Sequence, residues 1–186
     1  EWGSDYIQSV IVDRDSGELW LIGQEATAEV WWYNGALGFP AEPINVLIPY
    51  GTPAVFGWTQ VGTSLYGLAQ TRGGGVLVGR IRDGYGVEKI STHAVDDALE
   101  GYTATQLTNA VAFPLDWRGH RFFLLTIASD TWVYDESTDL WTEWDYWTNG
   151  ESQAYLGAGQ LRLSGTQVIG SRLNGSLYSL SDDYLD

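Results

Sequence analysis

The chain has no cysteine and no methionine, only five prolines and two histidines, and nine lysines and arginines among 186 residues. Without cysteine there is no disulfide, no thiol nucleophile and no thiolate zinc site. That composition fits a reducing compartment, or a particle assembled in one. The missing methionine, absent even at position 1, reads as the mark of a fragment or a processed piece. Nine cations against 24 acids leave a net charge of −15. Strong binding to phosphate backbones draws on clustered cations and counterion release, so the chain as a whole is no strong nucleic-acid binder. The opening EWGSDYIQ has no basic stretch leading into an apolar core, so no signal peptide is visible. The longest strongly apolar run, FFLLTIA, is far short of the ~20 residues that a membrane helix needs, and no membrane segment is expected.

What the chain does have is rings and turns: ten Trp, eleven Tyr, five Phe and 23 Gly. Aromatic side chains favour strands and glycines punctuate them, which predicts an all-β protein. The stretch from Gly119 to Trp144, GHRFFLLTIASDTWVYDESTDLWTEW, sets a pattern of short aromatic strands separated by turns, and the pattern recurs. Its first-turn glycine falls at Gly17, Gly62, Gly119 and Gly165, at intervals of 45, 57 and 46 residues. The long middle interval matches THAVDDALEGY (92–102), where Ser91 or Thr92 can cap and Ala94, Val95, Ala98 and Leu99 share one apolar face. A short helix over 92–101 is therefore expected between two β units.

Units of about 40–50 residues with four strands each are the sequence form of β-propeller blades. The predicted fold is a single β-propeller-like region over 1–186, with about four blades of four antiparallel strands over 6–48, 54–92, 108–147 and 154–186. The last blade lacks its final strand, which is either borrowed from elsewhere or missing because the chain is an arc of a larger ring, the favoured reading. The rings of Phe122, Phe123, Trp132 and Tyr134 are expected to pack between blades.

Residues that carry chemistry are sparse. Neither His93 nor His120 has the partners of a metal site or a triad, and each reads as a capping or surface residue. DRDSGELW (13–20) alternates carboxylates before a glycine, as a small calcium loop would. It also approaches the Asp-box of sialidase-type propellers, with Asp13 in place of the hydroxyl residue and Leu19 in place of Thr. With no second copy in the other units, it reads as a hairpin tip. TRGGGVLVG (71–79) opens a strand and lacks the Lys-Ser/Thr of a phosphate loop. The tail SDDYLD is an acidic end. No catalytic residue, cofactor or metal is predicted.

Several segments resemble the packaged-DNA stabilisation, or tail hub (nozzle), proteins of short-tailed bacteriophages. They are KISTHAVDDALEGY (89–102), TWVYDESTDLW (131–141), ELWLIGQEATAEVWWYNG (18–35) and IGSRLNGSLYSL (169–180), in order along most of the chain. The resemblance implies a virion structural protein with no catalytic residues, assembled in the host cytoplasm. It implies a ring, hexameric in the family, that helps close the portal, retains packaged DNA and forms the ejection channel. Its expected partners are other copies of itself, tail and portal-adaptor proteins, and double-stranded DNA passing without tight binding. Relatives are longer, and they tend to be more basic where this chain continues from Trp141 as TEWDYW. Interface candidates are Trp31, Trp32, Val95, Leu99, Trp141, Trp144 and Trp147. Adjacent strand positions point to opposite faces, so Trp31 and Trp32 cannot both enter one core, and Val95 and Leu99 would either staple two blades or project to a neighbour. Two alternatives stand beside this reading. One is a carbohydrate-binding propeller that stacks sugars on Trp31, Trp32 or Trp147. The other is a sialidase-type glycosidase, which needs an arginine cluster that eight Arg without a motif do not supply.

Overall fold

The computed structural model describes residues 5–180. It is all-β and built of blade-like antiparallel sheets, each with its strands in chain order. Two compact units divide the chain, 1–112 and 113–186.

In the first unit, β1 (Ile7–Val12), β2 (Leu19–Gly23), β3 (Ala28–Tyr33) and β4 (Ala41–Pro43) form sheet one. Sheet two comprises β5 (Trp58–Val61), β6 (Ser64–Gln70), β7 (Val76–Ile81) and β8 (Glu88–Lys89). The period-two alternation of strands sorts their side chains. Trp20, Ile22, Ala28 and Val30 point inward from sheet one, and Trp58, Leu65, Ala69 and Ile81 meet them from sheet two, all buried. Gly67 is fixed by this packing. It pairs across the ladder with Trp58, and a Cβ there would lie 2.1 Å from the indole.

The inserted helix is present as α1 (His93–Gly101), packed on β7. Thr92 stands at its start but makes no side-chain cap, and Ser91 accepts instead from the Val78 N–H at 3.2 Å. Val95 and Leu99 are buried and take no part in the core between the two sheets, so the helix covers the opposite face of sheet two, lined by Tyr66, Leu68 and Val78. The expectation of a single helix needs correcting. A second, α2 (Ala104–Thr108), follows at once, started by a capping box in which Thr103 and Gln106 satisfy each other's backbone N–H groups. Together the helices account for the long interval between Gly62 and Gly119.

In the second unit, β9 (Val111–Trp117), β10 (His120–Ile127), β11 (Asp130–Asp135) and β12 (Leu140–Glu143) make sheet three. β15 (Gly157–Leu163), β16 (Thr166–Ser171) and β17 (Leu177–Ser179) make a three-stranded sheet four. Phe113, Leu115, Leu124, Val133 and Ile169 form the core between them, with Phe122, Trp144 and Tyr155 against it. Phe122 thus packs between sheets as expected. Phe123 and Tyr134 are buried on the other face of sheet three beside Trp141, and Trp132 is half-buried.

The aromatic run LWTEWDYW (140–147) does not form one strand but divides. Trp144 leaves the ladder, its N–H bonding the Thr131 carbonyl and its ring turning into the core. Beyond it the chain forms a separate hairpin, β13 (Asp145–Thr148) with β14 (Glu151–Ala154), closed by Asn149-Gly150 with both φ positive. The same turn chemistry explains the repeat. Gly17, Gly62, Gly119 and Gly165 all have positive φ, from 57° to 87°. At Arg118-Gly119 and Ser164-Gly165 both residues of a two-residue loop lie in that region, the form that matches strand twist.

Candidate interaction surfaces

The seven predicted interface residues do not form one site. Val95 and Leu99 are buried beneath α1. Trp141 packs against Tyr134 and Phe123, with ring centroids 5.3 and 6.5 Å apart, and Trp144 packs against Phe122 and Tyr155 at 5.4 and 5.5 Å. Trp31 is half-buried, its Nε1–H donating to Glu29 Oε2 at 3.1 Å and its ring edge-on to Phe39. Trp32, facing the other way, is 47% exposed, and Trp147 on β13 is 65% exposed. These last two are the rings of the set that stand open on this chain.

The DRDSG tip is a turn closed by its own side chains and tied to Gln60 of β5. Asp13 Oδ1 accepts from the Asp15 N–H and from Gln60 Nε2, its Oδ2 accepts from Ser16 Oγ, and its carbonyl accepts from the Gly17 N–H. The carboxylate of Asp13 is thus engaged in closing the loop. Among the described residues no group of three or more His, Cys, Asp or Glu is placed to hold a metal ion. Beside the turn lies a cleft of about 340 Å³ lined by Asp13, Asp15, Glu18 and Asp83. There Tyr85 donates to Glu18 Oε1 at 2.8 Å, which raises the phenol's pKa.

His93 is exposed and 3.2 Å from Asp97. His120 is more constrained, its Nδ1 lying 2.8 Å from Asp135 Oδ2. Burial pushes the Asp135 carboxyl up, but the Ser137 N–H, His120 and the Thr138 hydroxyl outweigh it and hold the pKa below the ordinary carboxylate value. Arg80, buried beside Tyr66, bonds Glu88 Oε2 at 2.8 Å. Burial works against its charge, and the Glu88 and Tyr66 oxygens more than restore it, raising its pKa.

The tips of the β9–β10 and β15–β16 hairpins enclose a groove of about 510 Å³. Arg118, His120, Arg121, Arg162 and Gln167 line it together with Asp116 and Trp117. Three arginines therefore meet where the sequence showed only scattered ones, because packing of sheet four against sheet three places Arg162 near a hairpin more than forty residues away. The readable sign was WRGHR (117–121), which sets Arg118 and Arg121 three residues apart around a histidine. Among the described residues no tyrosine lines the groove.

A comparison of the sequence with family models decides the relationship. The family described as "Bacteriophage P22 Gp10, beta-propeller" matches residues 2–185. The chain belongs to that family. No curated protein matches it. Membership in the P22 Gp10 family accounts for the blade-like sheets and gives the chain a phage structural role. It also places the chain with proteins of the virion. No helix among the described residues is long and apolar enough to cross a membrane.

Proposed function

We propose that the chain is a wall-forming subunit of a phage tail hub or nozzle. In this reading copies assemble as a ring that helps close the portal, retains packaged DNA and lines the channel through which DNA leaves. The observation that carries it is the family match over residues 2–185, since the P22 Gp10 family is that of a phage DNA stabilisation protein. Charge supports it. A wall at −15 gains no counterion-release energy from passing phosphates, so DNA slides rather than sticks. The tightly hydrogen-bonded sheets supply a stiff frame. Exposed Trp32 and Trp147 meet other copies, or tail and portal-adaptor proteins, while α1 covers the second face of sheet two.

The test is charge reversal at exposed acids such as Asp15, Glu42, Asp145 and Glu151, choosing those that line the channel in the assembled particle. Lysine at these positions leaves assembly intact and slows DNA ejection, most at low ionic strength where screening is weak. Unchanged ejection kinetics would remove the sliding-wall mechanism. A sugar-binding reading draws only on the exposed rings of Trp32 and Trp147, and a glycan screen with Trp32→Ala and Trp147→Ala separates it.

A further inference from the structure

We propose that the outer face of sheet four is a docking surface for the outer face of sheet one of a second copy of this chain. Both faces are apolar and stand open. On sheet four, opposite the side that carries Ile169 into the core, the register sets Leu163 beside Thr166, Leu161 beside Val168, and Gly159 beside Gly170 and Leu177. Leu161, Leu163 and Leu177 are exposed. On sheet one, opposite Trp20 and Ile22, one row runs from Val12 through Leu19 and Trp31 to Pro43, and another from Val10 through Leu21 to Glu29. Val10 and Val12 are exposed. Globular chains seldom leave contiguous apolar faces of this extent uncovered. Sheet two shows what such a face requires, since its second side lies under Val95 and Leu99 of α1. Among the described residues nothing plays that part for sheet four.

The face of sheet four is also shaped to receive a neighbour. Gly159 and Gly170 pair across the ladder, and a Cβ at either would meet nothing within 4 Å. Neither has positive φ, so the irregular register between Gly157 and Gly159 does not itself require glycine there. Gly157 is different, because Tyr155 and Ile169 leave its Cβ no room. Glycine within a strand weakens it and marks close approach by another group. Here the pair floors a groove of about 440 Å³ walled by Leu161, Leu163, Val168 and Leu177. The chain already seats a ring on a strand glycine once, where the Trp58 indole lies over Gly67. Val10, Val12 and Trp31 of the second copy fill the groove.

Charge selects the occupant. A second copy also carries −15 and is repelled wherever acids face acids. The rows on sheet four carry no charge, and those on sheet one carry Glu29 alone, which accepts from Trp31 Nε1–H at 3.1 Å. These two faces are therefore where copies meet with least repulsion. A sugar would need convergent polar groups, and Gln160 and Ser171 are the polar side chains lining the groove. Sheets pack about 10 Å apart with the side chains of the facing sides interdigitating. Faces of three or four short strands bury about 1,000 Å² in total, the low end for a specific contact, so a single pair binds weakly. A contact between two different faces repeats from copy to copy and closes as a ring when the rotation allows. The proposal deepens the ring reading and takes its occupant from it, whereas the open apolar faces stand without it.

The experiment is sedimentation velocity of the whole chain from about 1 to about 200 µM, at about 150 and about 500 mM salt. The wild type is monomeric at the lowest concentration and associates as it rises, more strongly at the higher salt because screening weakens the repulsion. Gly159→Val with Gly170→Val fills the groove and weakens association at least about tenfold. Its melting temperature at about 1 µM stays at or above the wild type's, since valine suits an open strand position. Val10→Glu with Val12→Glu weakens association as much from the other side. Mixed together, the two defective variants recover a heterodimer, because one keeps an intact sheet one and the other an intact sheet four. Leu140→Ser, which removes an exposed leucine from sheet three, changes association less than about twofold. A wild type still monomeric at about 200 µM would overturn the proposal and leave the nozzle reading, which rests on the family match, in place. Equal loss in Leu140→Ser, a mixture that recovers no complex, or capture of the monomer by phosphatidylcholine vesicles in place of self-association would overturn it too. Association through these faces with no ring in assembled particles would uphold the contact and remove the ring reading.

Discussion

Sheets two and four share a strand order and a hairpin code, yet their surfaces are opposites. In β6, SLYGLAQ, every residue but the last is buried, because sheet one covers one face and α1 the other. In β15, GAGQLRL, the last three residues are exposed, and Leu161, Leu163 and Leu177 of sheet four stand 61–73% open. The two strands differ little in apolar content, four residues in β6 against three and an arginine in β15. What separates them is the second cover, which in sheet two comes from an insertion that sheet four lacks. Hydrophobic content therefore marks a blade-type strand, while burial on its second face depends on what is laid over it.

The largest expected effect comes from removing that cover. Val95→Asp with Leu99→Asp places two unpaired charges under α1, and the chain should lose its cooperative thermal transition, since total stability is only about 5–15 kcal/mol. A melting curve like the wild type's would show that sheet two does not need its helix. Next comes Gly67→Ala. The Trp58 indole leaves no room for the methyl, and a loss of about 1–3 kcal/mol or more is expected by chemical denaturation. Pairing it with Trp58→Leu should recover part of that loss, and failure to do so would point to backbone strain rather than the indole.

Gly119→Ala and Gly165→Ala should each cost about 1 kcal/mol from positive φ alone, since nothing crowds a Cβ at either site. A loss of similar size, about 1 kcal/mol, is expected for Asp135→Asn at neutral pH. Folding lowers the Asp135 pKa, so its stabilisation is complete above the ordinary carboxylate value and disappears as pH falls through the lower folded one. Wild-type and variant melting curves should converge in acid, and a gap that persists there would implicate shape rather than charge. The smallest effect is Leu163→Ser on the open face of sheet four, expected within about 0.5 kcal/mol. A larger loss would mean that this face is already covered in solution.

The parts of the fold that were legible in the sequence are those written locally. Tight hairpin turns need glycine at positive φ, so the repeat could be found from Gly17, Gly62, Gly119 and Gly165. The apolar stripe of α1 could be read from Ala94, Val95, Ala98 and Leu99. Five-residue α2 is too short to show a stripe, and its one signal was the capping box from Thr103 to Gln106. The β13–β14 hairpin was hidden because the aromatic run 140–148 looks continuous, and only the inward turn of Trp144 divides it. Trp141 and Trp144 looked like interface residues because a large ring on a short strand reads the same whether its neighbour is another chain or its own. The arginine groove was the least legible, being created by the packing of two separate sheets, although WRGHR announced half of it.

The strand order carries one more consequence. In every sheet each strand pairs with the one made just before it, and most of the hairpins close over very few residues. Loop-closure entropy is then small at each step, and the contact order within a sheet is low for an all-β chain. Such sheets can zip up one hairpin at a time as the polypeptide emerges, with little exposed strand edge waiting for a distant partner. A slow turn in one of them would delay that sheet and leave the others to form on schedule.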